Sequence, residues 1–338
     1  MKSNTLRAAI CIAAILAPAM AAAQTTTLFN SFIGAQHPIN TRILRPWTDD
    51  ITKATGGRVK FDMPTTSLSA PPQQMEGVTK GVMDMAYGFH GFLNNVKLSP
   101  VAHLPFINTS ARGGSIALWR TYEKYFAKAD EYKDVHLIGL FVGLPGPVYG
   151  MKGPINGIAD MKGTKMYGLP GVAARILEAA GAGVVAAPAV RSHEIISGGT
   201  VDAFAGYAVL DAVSFNTMQY AKAVTDVPGH LTVPSFAMFM NKKKWASIPQ
   251  ADRDIITKMS GEALAARFVI YDEIEIKARA DSAAKGIVFG TASPAFVAEL
   301  QKLAAPIEQA WLADAAKLGV DGPAALAFYK QEAQKNAK

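Results

Sequence analysis

Thr55-Gly-Gly-Arg-Val-Lys-Phe-Asp-Met-Pro64, then the stretch from Pro71 to Gly81, then Val82-Met-Asp-Met-Ala-Tyr87 decide the fold class. Residues 58–63 alternate in polarity and Pro64 closes them, the pattern of a short half-buried strand. Residues 71–81 open on proline and end on glycine, which predicts a helix. Residues 82–87 return to a strand pattern. Strand, helix and strand in close succession are the unit of an α/β sheet.

The same alternation extends outward. Thr27 to Phe32 reads as a strand ending in the turn region of Gly34 and Pro38. Ile39, Ile43, Leu44, Trp47 and Ile51 have the spacing of an amphipathic helix, which Gly56-Gly57 stops. Further strands are predicted at 135–142, 165–167, 184–187, 201–204, 235–240 and 287–289. Residues 251–285 contain no proline and a single glycine, Gly261. Apolar residues there recur at Ile255, Ile256, Met259, Leu264, Phe268 and Tyr271. A continuous helix over that run would be about 50 Å long, longer than a small domain is wide.

The 338 residues are 50% hydrophobic and 18% charged, a globular composition with room for two domains. The first 23 read as an export signal: Lys2 and Arg7, the apolar run Ala8–Leu16, then Ala21-Ala22-Ala23 before Gln24. Cleavage after Ala23 would remove Cys11, the one cysteine, so disulfide frameworks and thiolate zinc sites are excluded. It would also lower the formal net charge of +7 by two. The triplet Lys242-Lys243-Lys244 lacks interleaved aromatics and reads as a solvated turn, not a nucleic-acid surface.

Catalytic patterns are missing. The six histidines are scattered with no helical pairing, and His193-Glu194 has no second histidine four positions on. There is no Gly-x-Ser-x-Gly elbow. Gly181-Ala-Gly183 lacks the third glycine of a dinucleotide loop and reads as a helix end turning into a strand. No catalytic residue, metal ligand or cofactor is predicted; the simplest reading is an exported binder.

Several segments together resemble one family. Ile155-Asn-Gly-Ile-Ala-Asp-Met-Lys-Gly-Thr-Lys-Met166 is similar to the "PI-x-x-x-x-DLKG-x-KI" segment of the periplasmic solute-binding proteins of TRAP transporters. Gly181-Ala, Pro188 and Glu194-Ile-Ile-Ser-Gly-Gly-Thr-Val-Asp202 follow its "GA…P…E-A-L-x-x-G-x-V-D" run. Met240-Asn-Lys-Lys-Lys-Trp245, Thr55–Val59, Gly81-Val-Met-Asp84 and Leu104-Pro-Phe106 resemble further segments, in the family's order. The resemblance implies a two-lobed α/β periplasmic-binding-protein fold, with a ligand cleft between lobes and a long helix spanning both. It implies a first lobe of residues 24–144 plus 232–270 and a second of 145–231 plus 271–338. It further implies a monomeric periplasmic receptor that hands a small organic solute to TRAP membrane permease subunits.

The sequence departs from the family at its anchors. The arginine that binds substrate carboxylates in the family falls at Tyr167. A second arginine position falls near Gly146-Pro147, an asparagine at Gly206, and an acidic position at Phe89. Phe32, Phe89, His90, Tyr149, Tyr167, Phe204 and Tyr207 fall on or near the family's pocket segments. They predict a pocket for a flat apolar or aromatic ligand, with a hydroxyl or His90 meeting one polar end. Two other readings stay open. One is an aromatic cage for a quaternary-amine-type cation, with Asp202 or Asp211 as its carboxylate. The other is a conventional organic-acid site using Arg175 or Arg191.

Overall fold

A computed structural model of the chain describes residues 24–107 and 109–337; the predicted export signal, residues 1–23, lies outside the described residues. The strands in chain order are β1 (Thr25–Asn30), β2 (Val59–Asp62), β3 (Met85–Phe89), β4 (His136–Val142), β5 (Val148–Gly150), β6 (Lys165–Gly168), β7 (Gly183–Ala186), β8 (Ala203–Ala205), β9 (Ala223–Asp226), β10 (Ser235–Met240) and β11 (Val288–Thr291). They form two sheets, ordered β2-β1-β3-β10-β4 and β11-β9-β5-β8-β6-β7. In the first, β10 runs antiparallel to both β3 and β4. In the second, β5 runs antiparallel to β8 and β9. Each sheet therefore takes one reversed strand next to the places where the chain changes lobes. The chain leaves the first sheet between β4 and β5 and returns between β9 and β10. This is the two-lobed α/β architecture.

Most predicted strands lie within a residue or two of their observed limits, and 235–240 coincides. The strand predicted over 82–87 starts later, at Met85. Gly81 takes a positive φ of 77°, and the Val82 N–H turns back to the Gly77 carbonyl at 2.9 Å. Residues 82–84 thus belong to the turn. β5 and β9 escape prediction because three and four residues carry too little alternation to read.

The helical run over 250–284 is present and spans both lobes, but not as one rod. It comprises Gln250–Met259, Glu262–Ala266 and Val269–Ala284. The break falls at Gly261, whose φ is +54° and whose N–H donates to the Ile138 carbonyl of β4 at 3.0 Å. A Cβ there would lie 2.6 Å from the Trp119 ring. The glycine lets the chain press onto the first lobe before the last segment sets off toward the second. That last segment packs on the helix Ala111–Thr121 on one side and on Val209–Ser214 on the other. The terminal helix Gly322–Lys335 returns to lie against Ala111–Thr121. No helix among the described residues is long and apolar enough to cross a membrane.

Candidate functional site: an aromatic cavity between the lobes

Strand register builds the first wall. Phe236 on β10 sits opposite Phe89 on β3 and opposite Phe141 on β4, so three phenylalanines form a row across three strands. The Phe141 and Phe236 rings stack at 5.0 Å, and Phe89 lies 5.6 Å from Phe236. Such a row is the cross-strand pairing that stabilises a sheet face. Here that face also borders a small, mostly apolar cavity between the lobes. Phe32 and Phe92 extend the first-lobe wall, Leu169, Ala189, Tyr207 and Phe215 form the facing wall, and Tyr271 enters from the strapping helix.

Besides Tyr207 and Tyr271, two side chains bring an imidazole and a carboxyl to this lining. His37, in the turn after β1, and Asp211, on the helix Val209–Ser214, approach from opposite lobes to 3.3 Å (Nε2 to Oδ1). No arginine or lysine is among the lining residues described. Among the described lining residues there is thus no guanidinium or ammonium anchor for a carboxylate.

Of the seven residues predicted from sequence, Phe32, Phe89 and Tyr207 line the cavity. The others are buried elsewhere, each with its polar atoms engaged. Tyr149 and Phe204 stack at 4.4 Å inside the second lobe, and the Tyr149 hydroxyl donates to the Tyr207 carbonyl at 3.0 Å. Tyr167 is fully buried and donates to the Ala187 carbonyl at 2.8 Å. Burial holds both phenols well above their usual range, so they remain neutral donors. His90 sits 2.7 Å from the Ser235 hydroxyl and 2.9 Å from that of Tyr132, one contact on each ring nitrogen. Burial, reinforced by nearby His103, holds its pKa well below the usual histidine value.

Tyr149, Phe204 and Tyr167 do form a row, matching that of the first lobe: Phe204 pairs with Tyr149 on one side and Tyr167 on the other. It lies one layer behind the cavity, with Tyr207 in front of it. The Tyr207 ring is 5.9 Å from that of Tyr167. The same loop explains the small residue at 146. A Cβ on Gly146 would come within 2.4 Å of the Tyr207 backbone nitrogen, so no arginine fits there while this loop keeps its place.

The candidates for the alternative readings also separate. Arg191 pairs with Glu194 at the surface and Arg175 is exposed; neither lines the cavity. Asp202 pairs with Lys152 at 2.7 Å on the outside. Asp211 alone of the carboxylates considered faces the cavity. Sequence reasoning passed over His37, Phe92, Phe141, Phe215, Phe236 and Tyr271. Phe141 and Phe236 lie on predicted strands, but their meeting depends on pairing between segments about a hundred residues apart in the chain. His37 carried no local signal.

Two α/β lobes facing each other across an aromatic cavity and tied by one helical strap define a two-lobed solute-binding protein. The chain belongs to the bacterial extracellular solute-binding proteins, family 7, whose family model matches residues 29–314. A Comamonas testosteroni protein described as outer membrane transporter protein TsaT is 52% identical over 334 residues, covering 98% of this chain and 99% of that one. A TRAP periplasmic solute-binding protein of Bordetella bronchiseptica, solved with bound (R)- and (S)-mandelate, superposes with a TM-score of 0.88 at 31% identity. That match covers 92% of this chain and 99% of that one. A marine metagenome TRAP solute-binding protein described as specific for aromatic acid ligands, solved with 3-hydroxybenzoate, gives 0.84 at 26% identity. It covers 94% of this chain and all of that one. The family is one of solute-binding receptors of TRAP transport, not of enzymes.

Proposed function

We propose that this chain is the periplasmic receptor of a TRAP transporter for a small aromatic solute, which it delivers to the membrane permease subunits. The observation that carries the reading is the cavity wall: aromatic rings from both lobes face one space, and no arginine or lysine lines it among the described residues. A flat ring buried there gains its apolar area plus offset or edge contacts with the surrounding faces. Bound mandelate and 3-hydroxybenzoate in two relatives support an aromatic ring as the common element. In this reading the lobes are residues 24–144 plus 232–270 and 145–231 plus 271–338, with helix Gly322–Lys335 packing back on the first. The crossovers near 144 and 231 are the hinges, the receptor acts as a monomer, and export follows cleavage after Ala23.

A second reading, an aromatic cage for a cationic solute, is favoured by Asp211 at the cavity. A thermal-shift panel on the mature chain tests the first reading. Benzoate, benzyl alcohol and benzylamine are compared with succinate and with tetramethylammonium. At least one aromatic compound should raise the melting point, since a ligand at a hundredfold its Kd adds about 2.7 kcal/mol. A shift with succinate alone would contradict the proposal, and one with tetramethylammonium alone would favour the cage.

A further inference from the structure

His37 and Asp211 approach each other to 3.3 Å, and His37 Nε2 is buried without a hydrogen-bond partner. The His37 side chain is 4% exposed and that of Asp211 12% exposed, so neither is well served by water. The Ile39 N–H points at His37 Nδ1, 3.3 Å away, which leaves Nε2 as the ring's N–H donor. That Nε2 is buried without a hydrogen-bond partner; Asp211 lies 3.3 Å away but off its line. The Phe215 ring flanks the imidazole at 5.1 Å. The fold thus presents one N–H donor and one carboxylate acceptor, side by side, from opposite walls of an otherwise apolar space. Buried polar groups in that condition carry a desolvation cost that a matching ligand group removes.

We infer that the polar end of the solute is a hydrogen-bond donor: the hydroxyl of an aromatic alcohol, held by Asp211 and His37 together, or the ammonium of an aromatic amine, held by Asp211. This rests on the aromatic-receptor reading and names the head group it takes. A hydroxyl donates to the Asp211 carboxylate and accepts from His37 Nε2–H, which satisfies both groups at once. An ammonium donates to Asp211 and meets the faces of the surrounding rings. A free carboxylate meets like charge at Asp211 with no arginine or lysine on the wall to offset it. The head group differs in this respect from the acids bound by the two relatives, whereas the ring is shared. Because the two residues belong to opposite lobes, a hydroxyl that engages both also bridges the cleft.

Titration calorimetry with benzyl alcohol, benzylamine and benzoate tests this on the parent, Asp211→Asn and His37→Phe, with each variant's melting curve as a check of folding. In the parent the alcohol or the amine should bind at least tenfold more tightly than benzoate. Asp211→Asn should weaken the amine at least tenfold and narrow the gap to benzoate, and His37→Phe should weaken the alcohol severalfold. Benzoate binding as tightly as either in the parent overturns the head-group assignment while leaving the aromatic receptor standing. So does unchanged amine affinity in Asp211→Asn. Failure of all three probes to bind the parent overturns the aromatic-receptor reading itself. Should a variant not fold, the rank order in the parent decides alone.

Discussion

Asp272 and Glu275, one turn apart on the helix Val269–Ala284, cap the starts of helices in opposite lobes. Asp272 accepts from the Ala111 and Arg112 N–H groups at 2.8 and 3.1 Å, at the first-lobe helix Ala111–Thr121. Glu275 accepts from Leu210 N–H at 2.8 Å and Val209 N–H at 3.3 Å, at the second-lobe helix that carries Asp211. Acidic groups at helix starts satisfy orphan N–H donors and favour the helix dipole. One strap thereby sets the position of both lobes, and Arg279 extends it by joining Glu275 to Asp226 at the end of β9.

Removing the second-lobe cap should therefore be costly. Glu275→Ala leaves two N–H groups and Arg279 short of a partner in a largely buried place, a loss of about 3 kcal/mol. Urea unfolding measures it. A loss below about 1 kcal/mol would mean that apolar packing, not the carboxylate, holds the strap to the second lobe.

The break at Gly261 should resist any side chain. Gly261→Ala combines a positive φ with a Cβ placed against Trp119, and should destabilise by more than about 1 kcal/mol. An Ala variant of equal or greater stability would indicate that the run straightens into one helix without penalty. Differential scanning calorimetry distinguishes the two.

Acid should weaken the fold before carboxylates titrate. Burial lowers His103 to about 4, and burial with the His103 charge holds His90 well below its usual value. Unfolded, both take up a proton near pH 6.5; folded, they do not, so the unfolded state binds more protons below that point. The stability they contribute is full above about pH 6.5 and falls toward pH 4, with about 2 kcal/mol lost through His103 by about pH 5. Asp272 and Glu275, whose carboxyls burial pushes up, act in the opposite sense at the acid end. Urea midpoints between about pH 7 and about pH 5.5 isolate the histidines, to which His136 and His230, also lowered by burial, add in the same sense; a midpoint that stays level or rises there would contradict the assignment.

Tyr167 is fully buried, and its hydroxyl is engaged by the Ala187 carbonyl. Tyr167→Phe should cost about 1 kcal/mol of stability and leave affinity for the best aromatic probe within about twofold. A tenfold loss of affinity at unchanged stability would place the hydroxyl on the solute.

The two-lobed class was readable because it rests on local patterns: alternation at 235–240, the helix spacing of Ile39 to Ile51, and collinear motifs such as 155–166. The interior of the cleft was less so. Phe204 and Tyr167 look alike in sequence to Phe89 and Phe236, since all are aromatic residues on strands. Which row faces the cavity depends on sheet register and on the Tyr207 loop, both non-local. The helical run conceals its break for the opposite reason: Gly261 alone reads as a tolerable helix glycine, and its close approach to Trp119 is a non-local contact. His37 was hidden by its turn, where nothing in the spacing predicts a partner 174 positions away on another lobe.

In the proposed receptor one aromatic solute occupies the cavity between the lobes, and filling that space from its rim tests this most directly. Ala189 lines the cavity and is partly exposed, so Ala189→Trp can enter it without opening the core. Calorimetric titration of the parent with the best aromatic probe should give one site per chain, and Ala189→Trp should abolish it at an unchanged melting point. Binding of equal affinity and stoichiometry in Ala189→Trp would contradict the claim, because the solute would then sit elsewhere.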